Sequence, residues 1–271
     1  MIRNRKVTNL IHKDLLEIKN DKAAISPLLV VPFIFSVILP LVILLGGTSS
    51  LPTNSIGGIS VFLERLPKEM VLQQGLNQEK SAAYAVLMYF FKPLFLLIPV
   101  IIATVISSSS FVGEKENKTV EGLLYTPLTN KELMLGKILA CAIPSMIITW
   151  LSMIVYGVIL DTFGFYVFGE MIFPDINWLI IGLILDPLIV FLAISLIITV
   201  SQRVKTSKSA QSVVMVMILP IMGLIISQAA GVMLFGIKIS LLLSLVLIII
   251  DIVIFLIISK KFNREKFIMR I

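Results

Sequence analysis

Six stretches of this chain are each long and apolar enough to cross a lipid bilayer, and that limits its fold more than any other feature. The hydrocarbon layer is about 30 Å thick and an α-helix rises about 1.5 Å per residue, so about 20 mostly apolar residues make one crossing. Residues 26–46, 86–109, 136–160, 178–200, 213–236 and 239–259 meet that condition. In hydrocarbon every backbone N–H and C=O must be paired inside the protein, and runs of this length meet the requirement as helices. Only 14% of the residues are charged, against about 25% in an ordinary soluble domain, which excludes a soluble globular protein. The expected fold is an all-α integral membrane protein with six transmembrane helices in one domain over 26–259. A segment at 1–25 precedes it and a basic tail at 260–271 follows it.

The cationic residues orient these helices, because cytoplasmic loops hold the excess of Lys and Arg. Of the 23 such residues, 18 fall in 1–25, 110–137, 201–212 and 260–271, 4 fall in 47–85, 161–177 and 237–238, and Lys92 lies within a span. Both termini and the second and fourth connections are therefore expected in the cytoplasm. The first apolar run begins only near Ser26 and exceeds a signal-peptide core, so the chain is expected to keep its own start.

Ahead of the first span, Val7, Leu10, Ile11, Leu15 and Ile18 recur at helical spacing, with Arg3, Arg5, Lys6 and Lys13 on other faces. A basic amphipathic helix gains from apolar burial and from attraction to anionic headgroups, so 1–25 is expected to lie on the inner surface of the bilayer. In the 47–85 loop, Ile59, Phe62, Leu63, Leu66 and Met70 repeat the pattern. That helix needs an apolar partner: the outer end of the bundle first, or else the outer leaflet or another subunit.

Several chemistries are excluded by what the chain lacks. A single cysteine, Cys141, and a single histidine, His12, are too few for a zinc or haem site. The net charge of +7 would suit nucleic acid only as one exposed stripe, whereas here the basic residues are divided among apolar runs. No phosphate-binding G-x-x-x-x-G-K-[ST] loop occurs, and GEKENKT lacks the second glycine whose backbone would wrap the phosphates. No bound cofactor is expected, and the lone histidine lies outside the spans, which argues against a membrane enzyme.

Residues 113–137, GEKENKTVEGLLYTPLTNKELMLGK, are richer than a turn between two spans requires. Glu114, Lys115 and Glu116 close the second span, and Val120, Leu123 and Leu124 give a short apolar face. Pro127 breaks the helix. Thr129 with Glu132 then forms a capping box that starts the next one. The pattern predicts a helix of about two turns across the inner membrane surface, joined to both spans, so that force on it would move them together.

This string resembles the cytoplasmic loop of ABC-2-type permeases, the membrane half of many bacterial ATP-binding cassette exporters. The resemblance rests on Phe111 to Glu116, Thr119, Glu121 with Leu123 and Leu124, Thr126–Pro127, and Gly136–Lys137. The six spans and the amphipathic N-terminal helix also match. The resemblance implies that Glu114 and Glu116 form an acidic end of span two near an ATPase. It implies that Thr119 to Thr126 form a coupling helix, with Glu114, Glu116, Lys118, Thr119, Glu121, Leu123, Leu124, Thr126 and Pro127 as the coupling residues. It further implies separate cytoplasmic ATPase subunits that carry ATP and Mg, a second permease subunit, and a bacterial plasma membrane location. One departure is visible. Family members often place short re-entrant helices between the last two spans, where this chain has only the compact Gln228–Ile239 stretch.

Three ionisable residues lie at membrane depth, Lys92, Asp186 and Asp251. Each costs about 2.5–3.5 kcal/mol on insertion scales and is a candidate functional group. Lys92 and Asp186 fall at similar distances from the outer surface and are a candidate pair, although Lys92 could instead snorkel. A second function follows from the acids: an ion-coupled secondary transporter using Asp186 and Asp251, which would leave the elaborate 113–137 loop without a role. Pro93, Pro99, Pro144, Pro187 and Pro220 interrupt spans two to five and allow bends.

Overall fold

A computed structural model describes residues 22–46, 78–116 and 130–261. The regular structure among these residues is entirely helical, and six helices are long and apolar enough to cross a membrane. They are span one Ile25–Gly46, span two Ala82–Glu116, span three Leu135–Phe168, span four Ile176–Ser201, span five Ser207–Ala229 and span six Ile237–Ile258. The chain is thus an all-helical, multi-pass membrane protein. The expected amphipathic helix before residue 22, the helix near 59–70, the coupling helix within 117–129 and the tail from 262 lie outside the described residues.

Spans one, four and six begin and end within two residues of the limits read from hydropathy. The other three differ for local reasons. Span two continues to Glu116 because the hydroxyls of Ser107 and Ser108 donate back to carbonyls of their own helix, which lets a polar stretch stay helical. The helix of span three runs Asn130–Phe168, 39 residues, or about 58 Å, and so projects beyond the hydrocarbon. It stops at Gly169, whose φ of +83° suits a residue without a Cβ.

Span five sits further toward its start than the apolar run suggests. The Thr206 hydroxyl caps it by accepting from Ser209 N–H. At the far end Gly231 takes φ +67°, with Gly231 N–H on Gln228 O and Val232 N–H on Ser227 O. This Schellman arrangement ends the helix although apolar residues continue to Phe235. No helix occupies residues 230–236, the compact stretch before span six.

Span two is the axle of the bundle. Of its most apolar window 78% is buried, against 56% for span four and 22% for each of spans five and six. Phe95, Ile98, Ile102 and Ala103 of span two pack with Val190, Ala193, Ile194 and Ile197 of span four in the main core. A second cluster joins Leu96 and Val100 to Ile189, Ile221, Ile225 and Phe235. The outer spans present apolar side chains outward. Span six exposes Leu242, Leu245, Ile249, Ile252 and Leu256 and buries Ser240, Ser244 and Asp251, the inverse of a soluble helix.

Four turns of π-helix interrupt the spans, at Ile34–Ile38, Val86–Phe90, Ser109–Gly113 and Ile181–Leu185. Three of them contain the residue four before a proline: Ser36 before Pro40, Tyr89 before Pro93 and Leu183 before Pro187. A proline ring clashes with the carbonyl four residues back and supplies no N–H, and a widened turn is one way to relieve this, although Pro32 and Pro144 sit in unbroken α-helix.

Candidate functional site

Where residues 117–129 attach, the ends of four spans are joined by three consecutive side chains. Glu114 turns inward. Its carboxylate pairs with the Lys137 ammonium of span three at 2.6 Å, and both groups are almost completely buried. Lys115 Nζ donates to Ser201 O, the last residue of span four, at 2.8 Å. Glu116 accepts from Ser207 N–H, the first residue of span five, at 2.9 Å.

The signs suit the helix ends. A cation sits on the C-terminal carbonyl of span four and an anion on the N-terminal amide of span five, each opposing the local end of the helix dipole. Ser108 of span two adds to the junction by accepting from Gln211 Nε2 at 2.8 Å and from Ser207 Oγ at 3.4 Å. Span two therefore ends in a knot with spans three, four and five.

The two candidate acids are placed differently. Glu114 is one half of a buried ion pair that joins the two helices flanking residues 117–129. Glu116 is exposed, yet its carboxylate is engaged at the start of span five. Lys115 and Lys137 complete the arrangement. Hydropathy and charge counting passed over both as ordinary cytoplasmic cations, and Lys137 was marked only by its Gly-Lys context. Lys118, Thr119, Glu121, Leu123, Leu124, Thr126 and Pro127 lie outside the described residues.

At the opposite end of the bundle the expected Lys92–Asp186 pair does not form. Lys92 Nζ instead pairs with Asp175 Oδ2 at 2.6 Å and lies 4.7 Å from the centre of the Tyr89 ring. Asp175 also caps span four, its Oδ1 accepting from Trp178 N–H at 2.7 Å. The reason is depth. Eleven residues at about 1.5 Å each place Asp186 roughly 16 Å further along span four than Asp175, while the lysine stem reaches toward the interface. Asp175 was legible as a helix start, since Asp ahead of an apolar run is a strong N-cap signal.

Beneath that ion pair Phe91, Phe95, Tyr156, Phe173 and Trp178 form one aromatic cluster, with neighbouring ring centres 5.1–6.0 Å apart. The Tyr156 hydroxyl donates to Leu87 O at 2.7 Å. Asn177 ties the start of span four to span six, donating to Phe235 O at 2.8 Å and accepting from Ser240 Oγ at 2.6 Å. Asp161 accepts from Ile172 N–H and Phe173 N–H, each at 3.1 Å, which folds the connection between spans three and four over the cluster.

Asp186 and Asp251 are both buried, and neither oxygen of either acid has a hydrogen-bond partner among the described residues. The structure does not bring them together with Lys92 in a polar site. Asp251 lies on the inward stripe of span six with Ser240, Ser244 and Leu247.

Comparison with family models finds that of the ABC-2 family transporter protein, matched over residues 69–250. Curated proteins and solved structures give no match. The matched range begins before span two and ends inside span six, so it takes in the Glu114–Lys137 junction, the Lys92–Asp175 pair and the aromatic cluster.

Proposed function

The chain belongs to the ABC-2 transporter family, a family of membrane transport subunits, and we propose that it is the permease of an ATP-binding cassette exporter, worked through its 113–137 connection by separate cytoplasmic ATPase subunits. Two permease subunits, identical or related, form the translocation pathway. ATP and Mg are held by the partner subunits, and this chain is not itself catalytic. The chain lies in a bacterial plasma membrane with both termini in the cytoplasm. That orientation is supported by the crowding of Lys and Arg at the end of the bundle that carries Glu114 and Lys137.

One observation carries the coupling. The segment 117–129 leaves the end of span two at Glu116 and rejoins the helix of span three at Asn130, and the Glu114–Lys137 pair clamps these two feet together. Lys115 and Glu116 extend the clamp to spans four and five. A push on the segment therefore reaches four spans through hydrogen-bonded contacts rather than through a slack loop. Moving a two-state bundle from 1:99 to 99:1 takes about 5.5 kcal/mol of differential interaction, a load suited to ATP-driven closure of two domains.

The test is affinity purification of the tagged full chain from native membranes. A stoichiometric ATPase is expected, and charge reversal at Lys118 and Glu121 together is expected to release it while the permease remains folded. An ion-coupled carrier is the second reading, and Asp186 and Asp251, buried with no hydrogen-bond partner among the described residues, favour it. Transport by the purified chain alone, driven by a proton or sodium gradient, would establish that reading and overturn the first.

A further inference from the structure

Of the four π-helical turns, Ser109–Gly113 is the one no proline explains: the next proline after it is Pro127. What this turn has instead is Lys137. The ammonium donates to Ser110 O inside the turn at 2.9 Å and pairs with Glu114 Oε2, the residue that follows the turn, at 2.6 Å. It also lies 5.3 Å from the centre of the Phe111 ring, again inside the turn. These contacts come from one buried side chain on span three, and an ammonium carries three N–H donors with which to make them.

We propose that Lys137 is a positioning residue that holds Ser109–Gly113 in its widened form, and that the transport stroke releases this turn to an ordinary α-helical one. The proposal rests on the ATPase-coupled reading above. A π-turn closes its hydrogen bond over one residue more than an α-turn does. Reverting to α therefore re-phases the two sides of the turn by about one residue, which is about 100° of rotation and 1.5 Å of rise.

The position of the turn decides what moves. On one side lies the triplet Glu114–Glu116, fixed to spans three, four and five. On the other lies the core of span two, the most buried helix of the bundle, whose last residue before the turn, Ser108, is bonded to Gln211 and Ser207 of span five, contacts that the stroke must also break. With the triplet held, the change of register appears as rotation of span two against its neighbours. Lys137 bonds both the turn itself, at Ser110 O, and Glu114 just beyond it, so a displacement of the helix ends at Glu116 and Asn130 that draws the ammonium away from Ser110 O removes the wedge.

The test uses the full-length chain in native membranes, made cysteine-free by Cys141→Ala, the lone cysteine. Pairs of cysteines are introduced, one fixed by Ile194→Cys on span four and the other moved along residues 98–106 of span two, and the position of maximal cross-linking is read. Lys137→Met combined with Glu114→Gln removes both charges, so neither is left buried and unpaired. That double variant is expected to move the maximum by one residue, and Lys137→Arg to leave it in place.

The exchanged pair, Glu114→Lys with Lys137→Glu, separates register from simple charge pairing. It restores an ion pair, but a carboxylate cannot donate to Ser110 O, so the maximum is expected to stay shifted. An unmoved maximum in the double variant, or a wild-type maximum in the exchanged pair, overturns the holding role of Lys137. In the wild-type assembly, trapping the copurified ATPase with ATP and vanadate is expected to produce the same one-residue shift, and an unchanged maximum overturns the release step. Failure of the ATPase reading is distinguishable, because no ATPase would then copurify with the wild-type chain, while the cross-linking of the variants would still report on Lys137.

Discussion

Replacing Asp175 by Asn is expected to cost far more stability than replacing Lys92 by Met, although each change removes one half of the same ion pair. The asymmetry follows from burial. The Lys92 side chain is 1% exposed and the Asp175 side chain 36%, with 2.6 Å between charged atoms. Asp175→Asn keeps an oxygen to cap Trp178 N–H, since Asn and Asp cap equally well, but leaves an ammonium buried without a counter-charge. Breaking a fully buried pair in this way costs about 3–5 kcal/mol, and water at the carboxylate reduces that to about 2–3 kcal/mol here.

Lys92→Met leaves a carboxylate that still touches water and still caps span four, so its cost is expected below about 1 kcal/mol. The two variants should then differ by about 1–3 kcal/mol, a factor of at least roughly 5 in the folded-to-unfolded ratio. Unfolding in mixed micelles, followed by tryptophan fluorescence, reads this directly, because Trp178 sits one turn from Asp175. The double variant is expected to be more stable than the sum of the single losses predicts. A Lys92→Met loss equal to or larger than that of Asp175→Asn, or strict additivity, would refute the argument.

Three further predictions concern single positions in the spans. Gly157 lies against the Phe173 ring so closely that a Cβ there would collide with it, so Gly157→Val is expected to lose about 1–3 kcal/mol by overpacking the aromatic cluster. Gly223 lies within a helix with nothing within 4 Å of where a Cβ would stand, so Gly223→Ala should raise stability by about 0.5–1 kcal/mol, read as a higher apparent melting temperature. Asp251→Leu is expected to stabilise the folded chain, because it removes a buried acid with no hydrogen-bond partner among the described residues, whose insertion costs about 2.5–3.5 kcal/mol. A loss of stability in the same unfolding assay would show that Asp251 is engaged after all.

Some of the helix ends left traces in the sequence that hydropathy does not register. Asp175 is an N-cap ahead of an apolar run, Thr206 precedes span five in the same manner, and Gly231 interrupts an apolar stretch at the point where a left-handed residue is needed. Each is a local backbone requirement, so each is readable from a few neighbouring residues. The prolines at 40, 93 and 187 accompany widened turns that contain the residue four positions earlier, but Pro32 and Pro144 lie in unbroken α-helix, so proline alone does not mark such a turn. Lys115 and Lys137 left no such trace. A lysine looks the same in sequence whether its amine meets solvent or a carbonyl on another helix.

The number of spans was determined by the chain's local composition alone. The cost of exposing an unpaired amide or an isolated charge to hydrocarbon is paid residue by residue, whatever the rest of the protein does. Which charges meet was decided only by tertiary structure. Lys92 finds Asp175 83 residues away and Lys137 finds Glu114 23 residues away, because the partners share a depth once the helices are packed. The same packing made span two the buried axle and turned three adjacent residues, Glu114, Lys115 and Glu116, toward three different spans. Side-chain direction around a helix follows from sequence, but what stands in that direction depends on where the other five helices lie.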